Sequence, residues 1–212
     1  MAVRDFMSTD LVTVAPTTPI FDAIDLMKEN DIHRLPVLAD DKLVGLITQG
    51  VIQEAMPSQA TSLSVHEVNY LLNKTTVADV MIKKVETIEP DAILEKAIFI
   101  MRKNNIGVLP VLERNHLLGV ITNNDIFDAF LKITDYKTGG TRVVIEITED
   151  HPGILANVTQ VLAQAKLSIS TIVVDHRSDK TMIEIQIVSK EVEKISSVLK
   201  EAGYHVSSCV AN

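Results

Sequence analysis

Gly119-Val120-Ile121-Thr122-Asn123-Asn124-Asp125 follows an apolar pair, Leu117-Leu118, and precedes Ile126, Phe127, Phe130 and Leu131 at helical spacing. The stretch therefore reads as a strand-to-helix turn, with Thr122 closing the strand and Asp125 in the first helical turn. Two readings stay open on these residues alone. Thr-x-x-Asp approximates a capping box, in which hydroxyl and carboxylate satisfy the first free amides of the helix. A carboxylate beside a bare glycine backbone can also accept both hydroxyls of a ribose diol. What tilts the balance toward the second reading is that the stretch occurs twice.

Residues 7–56 align with residues 81–130 at a constant offset of 74, without a gap and with 18 identities in 50 positions. The densest block pairs Leu35-Pro36-Val37-Leu38 with Leu109-Pro110-Val111-Leu112, and Gly45, Ile47 and Thr48 match Gly119, Ile121 and Thr122. A match of this kind marks a duplicated structural unit. Each copy reads strand, helix, strand, strand, helix. In the first copy these are Val12–Val14, a helix after Pro19, Arg34–Leu38, Leu43–Thr48 and a helix from Val51. Ala39-Asp40-Asp41-Lys42 forms the polar turn between the paired strands. A unit of about fifty residues buries its apolar face poorly by itself. Two copies can cover each other about a pseudo-two-fold axis, with two related clefts between them.

The predicted boundaries are 1–57 and 76–135 for the repeats, with an insertion at 58–75 and a linker at 136–141. Ser64 and Glu67 predict a short capped helix in the insertion. His66-Glu67 begins like a zinc-protease helix, but the second histidine position holds Tyr70. Residues 142–212 follow a different pattern, strand–helix–strand–strand–helix–strand, which matches a ferredoxin-like βαββαβ unit. There Asp150-His151-Pro152-Gly153 opens a helix, with Pro152 in its first turn and Asp150 or His151 as its cap. The helix after Val192 stops at Gly203. The fold class is α/β (α+β).

A formal charge of −8 argues against a nucleic-acid backbone or an anionic membrane as a general partner. The single cysteine, Cys209, fits a reducing compartment, and neither a leader nor a membrane span is evident, so the expected location is cytoplasmic. No nucleophile elbow, phosphate-binding glycine loop or Cys/His metal cluster stands in the chain, and no metal is expected.

The segments Ile32-His33-Arg34-Leu35-Pro36-Val37, Ile106-Gly107-Val108-Leu109-Pro110-Val111 and Gly119–Asp125 resemble a tandem pair of CBS domains, a Bateman module. The segment beginning Asp150-His151-Pro152-Gly153-Ile154-Leu155-Ala156 resembles an ACT domain, and the order CBS–CBS–ACT resembles the AcuB-like proteins of acetoin utilisation. The resemblance implies a non-catalytic regulatory protein that binds an adenine nucleotide: AMP, ADP, ATP, S-adenosylmethionine or cyclic di-AMP. It assigns the ribose to Thr122 and Asp125 beside Gly119, and a phosphate to His33 and Arg34. The purine would lie near Ile88, Ile106 and Pro110. In the first copy Thr48 is retained, but Val51 stands where Asp125 stands, so one competent cleft is expected. The ACT resemblance implies an amino-acid site at Asp150, His151, Pro152, Gly153, Ile154 and Leu155. A homodimer is expected through the Ile169–Asp175 edge strand, through the CBS pair, or both. The alternatives are an assembly module with vestigial clefts and an enzyme of unknown chemistry.

Overall fold

The computed structural model describes residues 1–55 and 74–212. The helix predicted around Ser64 lies outside the described residues. The chain divides into two compact units, Met1–Ile126 and Phe127–Asn212.

In the first unit each repeat contributes one hairpin. β1 (Arg34–Ala39) pairs with β2 (Lys42–Thr48), and β3 (Val108–Glu113) with β4 (His116–Thr122), in one sheet of order β1-β2-β4-β3. The two-residue turns Asp40-Asp41 and Arg114-Asn115 have positive φ throughout, the geometry that matches the twist of paired strands. The hairpins meet at a single register pair, Lys42 with His116. Those two residues are equivalents at the offset of 74, so the pseudo-two-fold axis passes between them. The helices are α1 (Ile20–Glu29), α2 (Gln49–Ala55), a short α3 (Val77–Val80), α4 (Leu94–Asn104) and α5 (Asn123–Ile133). The division between the units falls within α5. Ile20, Ala23 and Met27 of α1 pack with Leu35, Val37 and Ile47 in one buried core. These residues recur with a period near 3.6 and form the buried face of that helix.

Among the described residues, six isolated bridges form three symmetric pairs at the same offset: Ala2–Ile93 with Pro19–Thr76, Ser8–Val120 with Leu46–Ile82, and Val14–Val37 with Ile88–Val111. The leading arm of each repeat therefore crosses to the other repeat. Ser8 and Val120 exchange both backbone hydrogen bonds, at 2.9 and 3.0 Å. Gly119 permits this approach, because a Cβ there would stand 2.6 Å from the Ser8 carbonyl oxygen.

One predicted strand is absent. Val12–Val14 is reduced to a bridge at Val14, which donates to the Pro36 carbonyl and accepts from Leu38. Pro36 has no amide to extend the ladder, and Ala15 turns away to Thr18.

The second unit is β5 (Thr141–Ile147), α6 (Ile154–Gln164), β6 (Ile169–His176), β7 (Thr181–Ile187), α7 (Val192–Glu201) and β8 (His205–Ala211). Its antiparallel sheet has the order β6-β7-β5-β8, the ferredoxin-like arrangement, with β6 at an edge. Val143, Ile145, Ile183 and Ile185 face Val158, Leu162, Ile195 and Leu199 in its core. Thr141, read from sequence as the end of a linker, is already strand, buried and paired to both neighbours. The opening of α6 also differs from expectation. Its N-cap is Gly153, in the left-handed region at φ 96°, and Pro152 lies outside the helix. Asp150 does not cap it; its carboxylate accepts from the Thr181 hydroxyl at 2.9 Å.

Candidate functional site

Thr122 is the last residue of β4, and Asn123-Asn124-Asp125 is the first turn of α5. Asp125 Oδ2 accepts from both the amide and the hydroxyl of Thr122, each at 2.7 Å, and the Asp125 amide points back to Thr122 Oγ1 at 3.4 Å. That is a capping box. The same box closes the start of α3, where Asp79 Oδ2 accepts from the Thr76 amide and hydroxyl at 2.8 Å. Those bonds hold the Asp79 carboxyl below its usual range. The other oxygen of Asp125, Oδ1, meets among the described residues the Ser8 hydroxyl, at 3.3 Å. A carboxylate offers about four lone-pair sites, so Asp125 can cap its helix with one oxygen and still accept from a ligand with the other.

Asp125 opens onto a cleft of about 340 Å³ between the repeats, shared with Ser8, Asp10, Asp31, His33, Arg34 and Thr122. Ile32, Pro36 and Val12 supply its apolar wall. A second cleft, of about 530 Å³, is lined by Thr48, Gly50, Lys84, Asn105, Ile106 and Gly107, again with His33 and Arg34. The two are symmetric mates. Ser8, Asp10, Asp31, Ile32 and His33 in one correspond to Ile82, Lys84, Asn105, Ile106 and Gly107 in the other. In the first repeat only half of the cap survives, a bond from the Val51 amide to Thr48 Oγ1 at 3.2 Å.

The nine residues singled out for nucleotide binding are therefore split. Thr122, Asp125, His33 and Arg34 come together in one cleft, while Thr48 and Ile106 belong to the other. Ile88 is buried and donates its amide to the Pro110 carbonyl, and neither residue lines either cleft. Gly119 serves the crossing arm and is not a wall residue. The apolar wall facing Asp125 is made by Ile32 and Pro36, the equivalents of Ile106 and Pro110 in the opposite repeat. Exchange of the arms is the reason: each Thr-containing turn faces the other repeat's wall. Asp10, Asp31 and Lys84 also line the clefts and were not among the nine. The signal for them was the offset of 74 applied to the cleft walls as well as to the turn.

In the second unit, Asp150, His151, Pro152 and Gly153 form the loop between β5 and α6, and Ile154 and Leu155 begin that helix. His176 Nδ1 lies 3.0 Å from Thr181 Oγ1 and 3.5 Å from Asp150 Oδ2, so the Asp150 carboxylate is engaged by β6 and β7. Among the described residues, no group of three or more His, Cys, Asp or Glu side chains is placed to hold a metal ion. No described helix is long and apolar enough to cross a membrane.

A family model described as CBS domain matches residues 3–58 and 77–132. The inosine-5'-monophosphate dehydrogenase of Thermoplasma acidophilum is 35% identical over 118 residues, which are 55% of this chain and 21% of that enzyme. The chain thus spans about a fifth of the enzyme's length. A CBS domain-containing protein of Dictyostelium discoideum is 31% identical over 135 residues, 63% of this chain and 93% of the relative. Among solved structures, the acetoin utilization protein AcuB of Vibrio cholerae superposes with a TM-score of 0.55 at 28% identity, covering 65% of this chain and 95% of that one. The CBS pair of protein MJ0100, in complex with 5-methylthioadenosine and S-adenosyl-L-methionine, gives 0.51 at 26% identity over 61% of this chain and 95% of its own. The protein CBSX2 in complex with AMP gives 0.54 at 25%, over 62% and 97%.

Proposed function

The chain belongs to the CBS-domain family, and we propose that its repeat pair is a regulatory module that binds an adenine nucleotide without transforming it. The observation that carries this reading is the convergence of Thr122 and Asp125 with His33 and Arg34 in one cleft. Asp125 Oδ1 accepts the ribose diol while Oδ2 keeps the cap. Ile32 and Pro36 take the purine face. His33 and Arg34 meet a phosphate where the ligand has one. The structures that hold 5-methylthioadenosine with S-adenosylmethionine, and AMP, support an adenosine ligand for this fold. One such site per chain follows from Val51, which cannot accept a diol.

Thermal shift and calorimetry with adenosine, AMP, ATP and S-adenosylmethionine test the reading. A ligand at a hundred times its dissociation constant raises stability by about 2.7 kcal/mol. Asp125→Ala removes charge-assisted hydrogen bonds of roughly 1.5–3 kcal/mol each, so affinity falls at least about tenfold. Unchanged affinity in a folded variant leaves only the cap. The Thr76–Asp79 box favours that second reading, an assembly module with vestigial clefts, because it has the same geometry without a cleft role assigned to it.

The second unit we read as an ACT-like domain, giving the chain an AcuB-like order, with the Asp150–Leu155 loop as its amino-acid site. Its edge strand supports self-association. Ser170 to Val174 contains no Lys, Pro or Gly to blunt the edge, and Val173 and Val174 are 46% and 38% exposed. Pairing of β6 with its copy satisfies the open backbone groups of both strands. Sedimentation of the full chain is expected to show a dimer that Val173→Lys with Val174→Lys weakens by opposing like charges across the axis. A dimer insensitive to both substitutions places the contact elsewhere.

A further inference from the structure

The outward faces of α1 and α4, equivalent helices of the two repeats, are opposite in charge. In α1, Asp22, Asp25 and Glu29 are exposed and stand three and four residues apart, so they share one face. Their equivalents at the offset of 74 are Lys96, Phe99 and Lys103 on α4, also exposed. With Lys28 included, α1 carries three acids and one base, a net charge of −2. With Glu95 and Arg102 included, α4 carries one acid and three bases, a net charge of +2. None of these eight side chains forms an ion pair among the described residues. Phe99 is 65% exposed, and its apolar ring gains from leaving water. The first repeat has a hollow that such a ring fits. An apolar pocket of about 390 Å³ opens between α1 and α2, walled by Ile24, Met27 and Ile52 with Lys28 and Gln53 at exposed positions. A cavity of about 150 Å³ already admits benzene.

We propose that the pocket between α1 and α2 is the seat of Phe99 from a second copy of the chain, with the α4 face of each copy lying on the α1 face of the other. The contact is isologous, so a two-fold axis makes it twice. Lys96 and Lys103 of each copy then face Asp22, Asp25 and Glu29 of the other. The copies run head to tail, first repeat against second. Head-to-head packing would set α1 on α1 and α4 on α4. That brings acids to acids and lysines to lysines, and it offers the pocket an acidic helix in place of a ring. The contact involves neither the β6 edge nor Asp125.

Sedimentation equilibrium of the full chain carrying Val173→Lys and Val174→Lys, which disables the β6 edge, tests the contact. A dimer is expected at tens of micromolar. Phe99→Ser weakens it at least about tenfold, as truncation of a seated aromatic does. The ring is exposed in the single chain, so circular dichroism stays unchanged. Asp22→Lys with Glu29→Lys also weakens the dimer, by setting lysines against lysines, and less so as salt rises. Adding Lys96→Glu and Lys103→Glu to that chain restores it, because every facing pair is opposite again. Head-to-head packing allows no such rescue, since each face still meets its own copy. The proposal is overturned if the chain with the β6 lysines is a monomer at tens of micromolar, if Phe99→Ser leaves the dissociation constant unchanged, or if the second pair of reversals fails to restore what the first removed. A parent dimer lost on the β6 lysines alone keeps the β6 contact and ends this one. A dimer indifferent to those lysines and lost on Phe99→Ser does the reverse.

Discussion

The two clefts of the repeat pair share a backbone and differ in chemistry. Both lie between a Thr-containing strand-to-helix turn and the opposite repeat, and both are reached by His33 and Arg34. Yet Asp10 and Asp31 on one side are Lys84 and Asn105 on the other, and the equivalent of Asp125 is Val51, which does not line its cleft. Duplication fixes where concave space will form, because crossed arms and paired hairpins are backbone features. What that space holds is set by a few wall residues, most of them outside the buried core. Exposed positions such as Asp10 and Lys84 can diverge freely, whereas Leu35 and Leu109, both fully buried, cannot.

The largest effect is expected where the shared backbone itself is attacked. Gly119→Ala drives a Cβ against the Ser8 carbonyl, backbone that cannot move without parting the bridge to Val120. Overpacking of that kind costs about 1–3 kcal/mol. Gly45→Ala in the other repeat meets first the thioether of Met81, a flexible side chain. Denaturant unfolding should therefore rank Gly119→Ala well below Gly45→Ala. Equal midpoints mean that the two arms are held alike and the symmetry is closer than the contacts indicate.

Charge separates the clefts next. Three carboxylates around the Asp125 site favour an adenosine ligand with a cationic or neutral 5′ substituent over one with a phosphate chain. S-adenosylmethionine is expected to bind several-fold more tightly than ATP at low salt. The gap should narrow as salt rises, because partly exposed charges are screened over about 10 Å at 0.1 M. Direct competition at two ionic strengths measures it. A preference for ATP that salt leaves unchanged would mean that His33 and Arg34 outweigh the acids.

Much of this was legible in the sequence, and the parts that were not share a cause. The gapless offset contained the duplication, the paired hairpins and their polar turns. The period-2 and period-3.6 patterns contained the βαββαβ order of the second unit. Three local choices went astray because tertiary context decided them. Val12–Val14 lost its ladder to Pro36. Thr141 was claimed by two strands at once. The cap of α6 went to Gly153, because Asp150 is tied to Thr181 on β7. The apolar residues named for the purine do not face Asp125, for a longer-range reason. Ile106 and Pro110 stand near Asp125 in sequence, but the crossing arms bring Ile32 and Pro36 to it in space.

The smallest effect is the sharpest comparison, between the two capping boxes. Asp79 and Asp125 accept the same pair of donors from the preceding threonine, and Asp125 also lines the cleft between the repeats. Asp79→Asn should lower stability slightly and leave adenosine affinity untouched, while Asp125→Asn lowers affinity as well. The pH dependence identifies the cap. The Thr76 amide and hydroxyl depress the Asp79 carboxyl in the folded chain. Folding therefore gains from its ionised form above the unfolded value, near pH 4, and loses that gain as pH falls through the lower folded value. The stability difference between the parent chain and Asp79→Asn is expected to be constant around neutrality and to shrink below about pH 4. Nucleotide affinity that falls equally in both variants would show that helix capping alone supports binding, and that Asp125 holds no ribose.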